Sequence, residues 1–231
     1  MSGDAAMSAL SLRIADGIAE IALDDGKVNA LSEQMLNDLL AAIAEAARAD
    51  AALLIYGRAG CFSGGYDRKL IAAGGPACDA MRAAGDRLTL ALLDYPAPVV
   101  MASTGHAMAK AAFMLLLADY RIGAAGAFNI GLNEVAIGMT MPDAAMPQAR
   151  AGLAPQWLNR CALQAQILDP QQALEAGFYD ELVTGGELLE RARDKARQLA
   201  ALDRKAYRET RQLLNAPLRT EVVAALANQS N

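Results

Sequence analysis

The sequence predicts a mixed α/β fold that gives way to helices in its C-terminal part. Apolar alternation on both sides of Asp16-Gly17 predicts an opening β-hairpin, because that dipeptide suits a two-residue turn between antiparallel strands. Short apolar strands and amphipathic helices then alternate as far as Ile122. From Ala144 onward nearly every segment repeats its apolar residues at helical spacing. Strands set between helices are covered on both faces, so the later ones are expected to be buried.

The hairpin occupies Ser11–Leu23. Ser32 is placed to cap a helix over Glu33–Arg48, where Met35, Leu36, Leu39, Leu40, Ile43 and Ala47 share a face. Ala52–Tyr56 is an apolar strand. It runs into Gly57-Arg-Ala-Gly-Cys-Phe-Ser-Gly-Gly-Tyr-Asp67, whose glycines predict a loop of special backbone shape. Asp79–Leu93 is helical in pattern, and Pro96 and Pro98 stop it ahead of a strand at Val99–Ala102. After Gly105, a stretch rich in alanine and leucine opens a helix and reaches Ala118. An apolar strand follows around Tyr120–Ile122. Leu188–Leu214 is charged and amphipathic, with Gly185-Gly186 as a hinge before it.

At 231 residues the chain suits one domain, with a core 1–184 and a C-terminal helical region 185–231. A net charge of −5 argues against a protein that coats nucleic acid or an anionic membrane. With 54 % hydrophobic and 20 % charged residues there is ample material for a core. Apolar runs such as Ala111–Ala118 are too short to span a bilayer, and Met1–Leu10 lacks the basic start and apolar stretch of a secretory leader. Cys61, Cys78 and Cys161 have no paired spacing, which predicts neither a disulfide framework nor a zinc site. A lone histidine, His106, gives metal chemistry or a Ser-His-Asp triad little to work with. A soluble cytoplasmic protein is expected, with no metal, nucleic-acid or membrane partner.

Three stretches break the surrounding regularity. In Cys61-Phe62-Ser63-Gly64-Gly65-Tyr66-Asp67, paired glycines let backbone approach a ligand closely and offer amides to a negatively charged oxygen; an ordinary tight turn into a helix reads the same way. Gly105-His-Ala-Met-Ala-Lys-Ala-Ala-Phe113 opens a helix after a strand, so its free amides and positive dipole end suit an anion, or it is a plain junction. His106 there is either structural or catalytic. Glu134 interrupts an otherwise apolar region between Phe128 and Pro142. If buried, its pKa rises into the range useful for moving protons; otherwise it points to solvent or pairs with an arginine.

Taken jointly, these blocks resemble the crotonase, or enoyl-CoA hydratase/isomerase, superfamily along nearly the whole chain. Asn29-Ala30-Leu31-Ser32 is similar to the family's Asn-Ala-Leu turn after the opening hairpin. Phe62-Ser63-Gly64-Gly65-Tyr66-Asp67-Arg68-Lys69 is similar to its Phe-Ser-Ala-Gly-x-Asp-Leu-Lys loop. Pro98 to Gly105 matches the strand and glycine ahead of the second site segment. Ala118-Asp119-Tyr120-Arg121-Ile122, Phe128 to Gly138, and Ala173 to Val183 resemble the blocks Asp-x-Arg-Ile, Pro-Glu-x-x-x-Gly and Ala-x-x-x-Gly-Leu-Val-Asp.

The resemblance implies a crotonase-like spiral core of ββα units with a helical C-terminal region that covers coenzyme A and mediates oligomerisation. It implies an acyl-CoA thioester as ligand, with no cofactor beyond the coenzyme A carried by the substrate, and assembly as a homo-trimer or a dimer of trimers. The thioester oxygen would lie between the amides of Gly64 and Lys110. Cys61, Phe62, Ser63, Gly65, Tyr66, Asp67, Lys69, Phe113 and Met139 would line the substrate. Two departures matter. Ala109-Lys110-Ala111 replaces a run of glycines, so larger side chains are expected to crowd the thioester. Phe113 replaces the first of the two glutamates that hydratases use, which leaves Glu134 as the one base and Phe113 as a wall against water. A shift of a double bond from 3-enoyl-CoA to 2-enoyl-CoA needs only one base. Hydration, hydrolysis of a thioester or β-diketone through His106 or Asp143, and non-catalytic acyl-CoA binding are the rival readings. Asp143, after Pro142, is an extra acid or a helix start.

Overall fold

Asp16 and Gly17, at φ 52° and 73°, close the two-residue turn between β1 (Leu10–Ala15) and β2 (Ile18–Leu23), pairing Ala15 with Ile18. The computed structural model describes residues 9–229, so Met1 to Ser8 of the segment tested for a leader lie outside the described residues. Ser32 caps α1 (Glu33–Arg48), its Oγ accepting from the Met35 N–H at 3.2 Å. The expected apolar face of α1 is buried against the sheet and against α3 (Gly75–Leu93).

The wholly or largely buried strands β3 (Ala52–Gly57), β5 (Val99–Ser103) and β7 (Tyr120–Ala124) follow β2 in parallel register. With β9 (Glu181–Val183) they complete a six-stranded sheet in the order β1-β2-β3-β5-β7-β9. With α1 between β2 and β3 and α3 ahead of β5, strand and helix units succeed one another along the large sheet.

Several elements depart from expectation. The segment expected to be loop contains β4 (Gly60–Ser63), and the stretch after Gly105 begins as β6 (Gly105–Met108) before turning into α4 (Lys110–Leu115). With β8 (Ile130–Gly131) these form a second, parallel sheet in the order β4-β6-β8. Strands of two to four residues are too short to show a periodicity, so pairing, not local pattern, creates them. The same reason hid β9 inside a region expected to be helical. A short α2 (Arg68–Ala73) was not expected, and α3 starts at Gly75, four residues ahead of the predicted Asp79.

The C-terminal part continues through α5 (Met146–Gly152), α6 (Pro155–Leu158) and α7 (Pro170–Ala176). Leu188–Leu214 is two helices, not one run: α8 (Leu188–Ala200) and α9 (Arg204–Gln229), broken where Asp203 accepts from the Ala206 N–H at 2.8 Å. In α8, Leu188, Ala192 and Ala196 cover the sheet face formed by Leu54, Val100, Ala102 and Ile122. Arg211 of α9 is 5 % exposed, holds both oxygens of Asp119 at 2.8 and 2.9 Å, and donates to the carbonyls of Leu92, Leu93 and Tyr95. Among the described residues no helix is long and apolar enough to cross a membrane.

Asn29 ties the two sheets together. Fully buried at φ 49°, it donates from Nδ2 to the Leu23 carbonyl at the end of β2 and to the Phe62 carbonyl in β4, both at 3.0 Å. Asn29→Ala leaves two buried carbonyls unpaired and puts a side chain without local hydrogen bonds at positive φ. It is expected to lower the free energy of urea unfolding by about 2–4 kcal/mol. A loss below half a kcal/mol, on the scale of an ordinary surface substitution, would show that the tie does not hold the sheets.

Candidate active site

The loop after β4 is fixed by its own polar atoms. Ser63 Oγ donates to the Asn29 carbonyl at 2.7 Å and accepts from the Gly65 N–H at 3.1 Å, while the Gly65 carbonyl accepts from Leu31 at 2.8 Å. Gly65 has φ 81°, and a Cβ there would stand 2.6 Å from the Met108 carbonyl and 3.3 Å from the Lys110 nitrogen. The loop therefore lies against the start of α4, as the joint motif implied. Ala109, at φ 51°, donates its N–H to Gly131 at 2.9 Å and turns the chain from β6 into α4. No side chain caps α4, and the Lys110 N–H at its first position has no intrahelical acceptor. Gly64 differs: its N–H donates to the Val28 carbonyl at 2.8 Å.

Two cavities meet at Gly64, Tyr66, Arg68 and Asn133. An outer cleft of about 1000 Å³ is bordered by Lys27, Val28, Arg68 and Lys69. An inner pocket of about 340 Å³ is lined by Ile71, Ala72, Ala109, Ile137 and Met139, with Glu134 as its carboxylate among the described residues. Glu134 is 6 % exposed, and its Oε2 is buried without a hydrogen-bond partner; the same is true of the neighbouring Asn133 Oδ1. Burial pushes the Glu134 carboxyl above its ordinary range, opposed first by a hydrogen bond from its own backbone N–H and then by the charge of Lys110. Tyr66 crosses α3 at Gly85, where a Cβ would meet its hydroxyl at 1.9 Å, and burial raises its phenol.

Lys110 does not crowd the opening as expected. Its side chain runs inward, and Nζ donates to Thr89 Oγ1 of α3 at 2.6 Å. Burial lowers it to about 8, against the pull of Asp86 and Glu134. Of the residues expected at the substrate, Gly65, Tyr66, Asp67 and Lys69 border the outer cleft and Met139 the inner pocket. Cys61, Phe62, Ser63 and Phe113 line neither. Phe62 and Ser63 are buried beneath the loop, Cys61 lies beside Val28, and Phe113 belongs to the apolar core, so it forms no wall of the pocket. Asp67 instead caps α2 through the Lys69 N–H at 2.8 Å.

His106 lies on β6, not on a helix start. Its Nδ1 accepts from the Asn129 N–H at 2.9 Å and its ring meets Phe128 edge-on, a structural setting outside both cavities. Asp143 is exposed and does not cap α5, which begins after Ala145. The sequence reading missed Asp86, Thr89, Asn133 and Arg68. A single lysine in the apolar run from Ala107 to Ala118 was the available signal that something polar lay beneath it.

Fold and site together define a crotonase-fold protein. The chain belongs to the enoyl-CoA hydratase/isomerase family, whose model matches residues 13–231. It is 39 % identical to an enoyl-CoA hydratase/isomerase family protein from Pseudomonas syringae, with a TM-score of 0.92 over 95 % of this chain and 96 % of that one. It is 42 % identical to an enoyl-CoA isomerase from Mycobacterium tuberculosis, with a TM-score of 0.89 over 95 % of this chain and 96 % of that one. It is 25 % identical over 185 residues to the probable enoyl-CoA hydratase EchA17 of Mycobacterium tuberculosis, covering 79 % of this chain and 70 % of the relative. The expected superfamily and fold are thereby borne out.

Contact between the loop and α4 predicts a specific sensitivity. Gly65→Ala combines a positive φ with a backbone clash and is expected to cost about 1–3 kcal/mol in urea unfolding. An unchanged midpoint would show that the two segments separate without penalty.

Proposed function

We propose that this protein isomerises 3-enoyl-CoA to 2-enoyl-CoA, with Glu134 as the single proton-transferring group. The observation that carries this reading is the buried Glu134 carboxyl, in a residue that lines the inner pocket and whose Oε2 has no hydrogen-bond partner; the family resemblance puts Phe113, an apolar core residue, where hydratases keep a second glutamate. The relative from Mycobacterium tuberculosis is named an isomerase in one solved structure and a probable hydratase in another. In this reading the outer cleft takes coenzyme A, with Lys69 and Arg68 near its phosphates, and the inner pocket takes the acyl chain. The thioester oxygen accepts from Lys110 N–H and from Gly64 N–H, the latter exchanging its bond to Val28 for the substrate. Glu134 removes a proton from C2, the electron pair delocalises into a dienolate held by the two amides, and the same proton returns to C4. The double bond then lies between C2 and C3. One group suffices because the proton leaves and returns on one face.

Glu134→Gln preserves shape and removes the base. Isomerisation is expected to fall roughly 100- to 10,000-fold while acyl-CoA binding, followed by calorimetry, persists. Ready hydration of 2-enoyl-CoA by the wild type, or undiminished isomerisation by the variant, would overturn the reading. His106, held by the Asn129 N–H and by Phe128 outside both cavities, gives the hydrolytic rival no support.

We further propose a homo-trimer, alone or paired into a hexamer, with 185–231 packing between subunits and over coenzyme A. Family membership supports this, as do Leu163, Leu213 and Leu214, which are 67, 77 and 77 % exposed. Light scattering at micromolar concentration should give a trimeric or hexameric mass, and a monomeric mass would contradict it.

A further inference from the structure

We propose that Tyr66 determines which acyl groups the inner pocket accepts, its ring forming the wall that ends the acyl chain on the side of α3, with Gly85 of α3 as the niche that lets the ring stand there. This rests on the reading that the inner pocket takes the acyl group of an acyl-CoA, and it deepens that reading by naming what limits the group. It does not depend on which reaction follows.

The placement follows from what lines the cavities and what does not. Tyr66 borders both the outer cleft and the inner pocket, so an acyl group entering one from the other passes this residue. Among the described residues, none of α3 borders either cavity. The ring nevertheless reaches that helix. A Cβ built at Gly85 would stand 2.7 Å from Tyr66 Cζ and 2.8 Å from Cε1, and nearer still to the hydroxyl. Tyr66 therefore spans from the cavities to the helix backbone behind them and separates the two.

Both ends of this contact are fixed. Tyr66 bridges to Leu31, the Gly65 carbonyl before it accepts from the Leu31 N–H at 2.8 Å, and Asp67 after it caps α2. Gly85 is buried in the middle of the 19-residue α3. Glycine weakens a helix interior relative to alanine, a cost that is offset where something needs the space of the missing side chain. Cys78, Met81 and Leu88 lie on the same buried face of α3 as Gly85, so space vacated by the ring would be apolar. The pocket itself is modest. At roughly 30 Å³ for a water-sized group, its 340 Å³ has room for about eleven such groups, which suits an unbranched acyl chain of medium length.

A wall has a signature in binding. Each methylene that enters an apolar pocket tightens binding about fourfold, and the gain stops where the chain meets the wall. The test is calorimetry with saturated acyl-CoAs of increasing length, which bind without turning over, on the wild type, Y66A, Y66L, G85A and Y66A/G85A. In the wild type, Kd is expected to fall about fourfold per added methylene and then to level off at a definite length. In Y66A and Y66L the limit moves to longer chains, so the first chain past the wild-type limit binds about fourfold tighter than it does to the wild type. In G85A the added Cβ drives the ring into the pocket, and the limit moves to shorter chains. In Y66A/G85A the Cβ has no ring to displace, so the profile matches that of Y66A, the non-additivity expected of two groups in contact. Y66L covers the case in which Y66A fails to fold, and the double variant covers the same failure of G85A. Affinity that rises without limit in the wild type, or a limit that is the same in the wild type, Y66A and Y66L, overturns the wall. A G85A effect that persists undiminished in the double variant overturns the niche. Absence of binding by every acyl-CoA overturns the acyl-CoA reading together with the proposal. A shifted limit in a protein that does not isomerise 3-enoyl-CoA sustains the wall and overturns only the reaction.

Discussion

Two backbone segments lie in contact, the Ser63–Gly65 loop and the Met108–Lys110 junction, and both cavities open beside that contact. It is possible only because position 65 has no Cβ, since one would stand 2.6 Å from the Met108 carbonyl. Each segment hangs from the small sheet β4-β6-β8, and Asn29 ties that sheet to β2 of the large one. Ser63 then fixes the loop from beneath while Ala109 fixes the junction through Gly131. A segment that contributes backbone in this way tolerates side-chain change, which is compatible with Ala109-Lys110-Ala111 in place of the glycine run that the family resemblance implies. The main-chain nitrogen of Lys110 lies at the contact with Gly65 while its side chain runs to Thr89.

That division has an energetic cost. Glu134, Lys110 and Asp86 are charged groups withdrawn from water without a direct ion pair among them, and Glu134 has an oxygen with no partner at all. Groups arranged so are not there for stability, since apolar replacements of similar volume commonly fold as well or better. A buried carboxyl with a raised pKa and an unpartnered oxygen in a residue that lines a cavity marks a candidate functional site. Arg211, by contrast, satisfies its donors on Asp119 and three carbonyls, and its buried charge serves to dock α9.

How much of this was legible in the sequence follows from the length scale of each feature. The hairpin, α1 and the central strands repeat their patterns over enough residues to be seen, and Asp16-Gly17 and Ser32 mark the boundaries directly. The small sheet was not legible because its strands have no period, although the residues on them had already been singled out as irregular. Glu134 was visible as a lone carboxylate among apolar neighbours. The inward course of Lys110 was not, because the sequence gives its identity but not the direction of its side chain. That direction depends on Thr89 and Asp86, more than twenty residues upstream on α3. Phe113 shows the converse: its position in the motif suggested a pocket wall, while the helix turns it into the core.

The placement of Phe113 changes the physical reason for preferring proton shuttling to hydration. A wall of phenylalanine against water would act by exclusion. With Phe113 in the core, exclusion is not the operative effect, and the inner pocket meets an outer cleft at Gly64 and Tyr66 through which water can enter. What separates the two reactions is the number of groups that can handle a proton at once. Adding water to a double bond requires one group to orient and deprotonate the water while a proton is delivered to the neighbouring carbon. Asp86 is not a second such group, because it faces Lys110 from α3 and does not line the pocket. A single carboxylate with one free oxygen can take a proton and give it back. It is on the composition of the pocket, more than on its dryness, that the proposal of isomerisation rests.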